Sequence, residues 1–75
     1  MRGSEEMKLW LFDLAHGNLS DERIVQGFTR YYTLMNLTIG NVQDDMVFHT
    51  HYDPDQISAA MKRLRDVMKI LAGEQ

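Results

Sequence analysis

Two histidines one residue apart, His49-Thr50-His51, stand among four aspartates, Asp44, Asp45, Asp53 and Asp55. On a β-strand, alternate side chains share a face, so His49 and His51 would point the same way, as a two-histidine metal site needs. One of the carboxylates could complete such a site. No third histidine has a fixed spacing to the pair, since His16 is far along the chain. Two polar residues on the wet face of a hairpin explain the motif without a metal, and a pH-sensitive contact is a further use for histidine. His49 and His51 are therefore weak metal candidates, and no cofactor is expected. Asp53-Pro54-Asp55 begins like an acidic calcium loop, but no alternating ligands, central glycine or closing glutamate follow.

Nucleophilic catalysis has even less to work with. The chain has no cysteine, and its serines are Ser4, Ser20 and Ser58. Ser4 falls in the leader, Ser20 has the place of a helix cap, and Ser58 lies in a helical stretch with no base at fixed spacing. Gly17, Gly27, Gly40 and Gly73 stand too far apart to form a phosphate loop. Paired carboxylates such as Asp44-Asp45 need a cleft to desolvate them, and a short chain offers little of one. The expectation is a protein that is not an enzyme.

Charge gives a more specific lead. Residues 1–55 carry nine acids against four bases, whereas residues 56–73 carry Lys62, Arg63, Arg65 and Lys69 against Asp66 alone. The last stretch is thus a basic element on an acidic body, free to dock on that acid or to face a partner. Lying along phosphates is one use for it. The net charge of −3 argues against nucleic acid, as does the absence of a tight glycine turn followed by a polar recognition helix.

These residues must be held by secondary structure, and the clearest element is the one that carries the cations. Asp53 is a natural N-cap, Pro54 fits the first helical position, and Gln56 completes a capping box. Ile57, Ala60, Met61, Leu64, Val67, Met68 and Leu71 recur at helical spacing, and Gly73 follows as a terminator. Within that stripe, Ile57, Leu64 and Leu71 recur at spacing seven with Ala60 and Val67 between them, a seam that suits a core or a paired helix equally. Glu5 to Ala15 reads as a first helix closed by Gly17, with Met7, Trp10, Leu11 and Leu14 on one face and Leu9 and Phe12 on another. That is too much apolar surface for a helix with one side in water, so it is central to the fold or part of an interface. Ser20 caps a second helix carrying Ile24, Val25, Phe28, Tyr31, Tyr32 and Met35. Gly27 sits inside it, where close packing of another helix would account for a residue that costs about 1 kcal/mol relative to Ala.

Residues 37–52 admit two readings. From Met46 onward Met, Phe, Thr and Tyr alternate with Val and two histidines, which favours a hairpin with Leu37-Thr38-Ile39 as the partner strand. The rival is a third helix entered through Thr38 and packed through Ile39, Val42 and Met46. The expected fold is α+β, mainly helical, with three helices and a short β-hairpin before the last; an all-α bundle of three or four helices is the alternative. Residues 1–4 read as a vector-derived leader and residues 5–75 as one small domain.

A chain of 75 residues buries only about 60% of its unfolded surface, and with no cysteine to staple it, self-association is expected. Absent disulfides, signal peptide and long apolar run place it in the cytoplasm, away from membranes. The functional expectation is a small acidic regulator, inhibitor or adaptor that binds another protein, with a homodimer formed through the first or last helix. Trp10, Phe12 and Met61 are its expected apolar contacts, with Arg63, Arg65 and Lys69 adding selectivity. Ile57, Leu64, Val67 and Leu71 are the expected dimer seam. A DNA-binding regulator using the basic last helix is the alternative.

Overall fold

The computed structural model describes residues 4–49 and 52–73. Four α-helices follow one another: α1 (Glu5–Ala15), α2 (Asp21–Tyr31), α3 (Ile39–His49) and α4 (Pro54–Gly73), with a short 3-10 turn at Thr33–Met35. No strand occurs among the described residues, so the expected hairpin is corrected to a helix and the α+β expectation to an all-α arrangement.

Each helix begins where a side chain satisfies its open N–H groups. The Ser4 hydroxyl accepts from Met7 N at 3.1 Å and the Ser20 hydroxyl from Arg23 N at 3.2 Å. Ser4 thus caps α1, although it stands in the stretch read as a leader. At the start of α4, Asp53 N donates to Gln56 Oε1 at 3.2 Å, the expected capping-box contact. Gly17, at φ 71°, ends α1: its N–H bonds Leu14 O and that of Asn18 bonds Asp13 O, the paired bonds of a Schellman closure. Asn36 takes the left-handed conformation after the 3-10 turn, which a short polar side chain tolerates.

Residues 39–49 are helical because tertiary contacts and a local cap act together. Thr38 N donates to Asn41 Oδ1 at 2.9 Å, a cap three residues apart. Val42 and Met46 are fully buried and Ile39 packs at the edge of the core, the spacing of three and four that the rival reading required. Asp45 adds a fourth fixed point, accepting from the Tyr32 hydroxyl at 2.8 Å in a buried hydrogen bond. A two-stranded hairpin alone would bury far less than this. The alternation from Met46 onward was misleading. Met46 is buried and Phe48 is exposed, so the two do not share a face.

All four helices contribute to one core. Met7, Trp10, Leu11 and Leu14 of α1 meet Ile24 and Phe28 of α2, Val42 and Met46 of α3, and Ala60, Met61, Leu64 and Val67 of α4, with Leu19 and Tyr32 from the connections. At Gly27 the Trp10 indole of α1 lies directly against α2. A Cβ there would overlap the indole ring of Trp10, whose Nε1–H donates to Arg23 O at 3.1 Å. The mid-helix glycine is thus the seat of the tryptophan.

Candidate protein-binding surface

α4 distributes its four cations unequally. Arg63 Nη2 donates to Leu19 O at 3.0 Å and to Asp21 Oδ1 at 2.9 Å, tying α4 to the beginning of α2. Lys62 pairs with Asp66 one turn on, at 3.0 Å. Arg65 and Lys69 are exposed and have no ionic or hydrogen-bonding partner among the described residues. The basic element expected from the sequence therefore does both things: Arg63 docks on the acidic body, and Arg65 and Lys69 face outward. Arg63, expected as a partner contact, is also an internal tie, its guanidinium engaged by a carbonyl and a carboxylate.

Two of the expected apolar contacts are buried: Trp10 is 7% exposed, filling the Gly27 notch, and Met61 is 2% exposed. Phe12 is exposed as expected. The seam on α4 is mostly absorbed by the chain itself: Leu64 and Val67 are buried and Ile57 is half-buried, while Leu71 remains exposed. Most of the seam thus lies in the core of a single copy, with Leu71 left exposed at its end. The cause is that α1, α2 and α3 all pack on α4.

What the sequence reading missed is where the apolar surplus went. Phe48 is 80% exposed and Leu34 73%, with Leu9, Val47, Met35 and Ile70 also in solvent. Leu34 and Met35 come shortly after Tyr32 in the chain, and Phe48 comes three residues after Asp45, which accepts from the Tyr32 hydroxyl. The helical reading of residues 39–49 would have found Phe48, because it falls off the Ile39, Val42, Met46 stripe.

Between α3 and α4 lies a groove of about 470 Å³. Val47, Ile57 and Met61 give it an apolar floor, Tyr52 and Pro54 stand at the start of α4, and Arg65 lines it about three turns further along. Its neutral polar rim is Gln43 and Ser58. An aromatic cluster adjoins it: the Phe12 ring lies 6.5 Å from that of Tyr52 and stacks on His16 at 4.1 Å. Burial raises the Tyr52 phenol above its ordinary value, and the negative charge of Asp13 adds to the effect. A second groove, of about 310 Å³, runs between α2 and the last turns of α4 over Val25, Val67, Ile70 and Leu71.

No family model, curated protein or solved structure matches the chain.

The two weak metal candidates do not gain from the fold. A shared face for His49 and His51 required a strand, whereas α3 runs through His49; His51 and the His49 side chain lie outside the described residues. No group of three or more His, Cys, Asp or Glu side chains able to hold a metal occurs among the described residues. No described helix is long and apolar enough to cross a membrane.

Proposed function

We propose that this chain is a non-enzymatic regulatory or adaptor protein that works by binding other protein surfaces, itself included. The observation that carries the reading is the amount of large apolar surface left uncovered on a body of this size. Isolated exposed apolar residues are ordinary, but several large ones beside grooves mark association surfaces. Phe48 is the anchor offered to a partner, because aromatic side chains are enriched at such contacts, and Leu34 adds apolar area to be covered. Arg65 and Lys69 contribute by excluding basic partners and steering acidic ones, an effect on rate and selectivity more than on raw affinity.

A photo-reactive amino acid at position 48 tests this in the native cell, with position 29 as the control, since Thr29 is exposed on a polar face. Adducts to a defined protein from position 48, absent from position 29, are the expected result. Equal labelling from the two positions would sink the reading.

The nucleic-acid alternative retains the two outward cations, Arg65 and Lys69. Two phosphate contacts on an acidic protein make a weak footprint, since affinity and salt dependence scale with the number of phosphates neutralised. Failure to shift duplex DNA in a gel at about 50 mM salt removes that alternative.

A further inference from the structure

We propose that a second copy of this chain seats the outward face of its α1 in the α3–α4 groove, with Glu5 of one copy against Arg65 of the other. The inference rests on the reading that the uncovered apolar surface serves protein association, and it names the occupant of one part of that surface.

The chain itself displays the ligand that the groove calls for. The groove needs an apolar insert with a carboxylate at one end, because its floor is Val47, Ile57 and Met61 and its lone cation is Arg65. Glu5, Leu9 and Phe12 follow one another at spacings of four and three, so they form a single stripe on α1. The stripe is outward-facing: Leu9 is 61% exposed, and Met7, Trp10, Leu11 and Leu14 hold the opposite face in the core. Glu5 and Arg65 have no ionic partner among the described residues, whereas Glu6 reaches Arg30 at 3.4 Å.

The lengths agree. Glu5 and Phe12 are seven residues apart on a helix, a rise of about 10 Å, while Ile57 and Arg65 are eight apart, about 12 Å. A Phe12 side chain placed at the Tyr52 and Ile57 end of the groove therefore brings Glu5 to Arg65.

Symmetry supplies the remaining constraint. An insert on one side of a molecule and a groove on another would build open fibres, but a shared edge allows both to be exchanged across a two-fold axis. Here they share an edge: the Phe12 ring lies 6.5 Å from Tyr52, which itself lines the groove. Two copies can thus exchange α1 faces reciprocally, covering Leu9, Phe12 and Val47 twice over. Phe48 and Leu34 are not consumed by this contact and stay available to another protein.

Sedimentation equilibrium of the full chain across the micromolar range reads the result directly. The expected mass is twice 8.8 kDa at the upper end. Arg65→Glu alone and Glu5→Arg alone each raise the dimer dissociation constant by about tenfold or more, because each places like charges in contact. An equimolar mixture of the two variants regains the native constant, as does one chain carrying both changes, since either restores opposite charges at both contacts. Circular dichroism checks that each variant is folded. A dimer indifferent to both reversals, or one that the paired changes do not restore, overturns the proposal. A monomeric native chain that still gives adducts from position 48 overturns this dimer while leaving the binding function standing. A chain that neither associates nor gives adducts removes both.

Discussion

Single residues carry more of this fold than their types suggest. Gly27 looks like a weakness in α2, yet its lack of a side chain makes room for the Trp10 indole. Gly27→Ala would gain about 1 kcal/mol of helix propensity and lose more by displacing the indole and its bond to Arg23 O, since overpacking a core typically costs about 1–3 kcal/mol. The expected outcome is a lower melting temperature in a thermal scan, opposite to what an exposed mid-helix glycine would give. Tyr52 makes a prediction about pH. Its phenol is raised above 10.0, first by burial and then by Asp13, so the fold holds the neutral form more firmly than the unfolded chain does. A raised acid group binds more protons in the native state, so its stabilisation is complete below the unfolded value and is lost as pH rises through the folded one. Stability should therefore fall above about pH 10, with Tyr52→Phe flattening that fall in denaturant titrations. Identical alkaline profiles for the two proteins would show that Tyr52 is not the group responsible.

At the scale of elements, α4 is the axis on which the others pack. Its 20 residues span about 30 Å, whereas the 11 residues of each neighbour span about 16 Å. The helix outruns its cover. This explains why one continuous apolar stripe holds both the fully buried Leu64 and the exposed Leu71. Leu64→Ala should cost about 2–5 kcal/mol, the usual range for emptying a packed site, and Leu71→Ala less than about 1 kcal/mol. Urea denaturation distinguishes them, and equal losses would mean that the last turns of α4 are covered after all. The end of α1 and the start of α4 were legible from caps and breakers, because Gly17, Asp53, Pro54 and Gln56 act on their own backbone, whereas the α1 cap, Ser4, stood in the stretch read as a leader. The identity of α3 was not. Its Thr38–Asn41 cap is local, but the burial of Val42, Asp45 and Met46 that stabilises it depends on Tyr32 and on α4.

For the whole molecule, the distribution of charge was legible and its pairing was not. The acidic first part and basic last helix are visible by counting, but only the fold selects Arg63 for Asp21 and leaves Arg65 and Lys69 outward. An exposed pair of that kind contributes little by itself, so its value lies in joining chain segments 42 residues apart. The surplus of apolar residues was likewise visible in the sequence as a reason to expect association. Where it would emerge was not, and Trp10 and Met61 went to the core while Phe48 and Leu34 went to the surface. Short-range interactions set the end of α1, the starts of α2 and α4 and the apolar stripes of those three helices, and counting alone gives the asymmetry of charge. Packing between distant segments settles which side chains share a groove, which cation is spent internally, and whether residues 39–49 are helix or strand. Those outcomes depend on which surfaces meet across the core, and that meeting is fixed by contacts between residues distant in the chain.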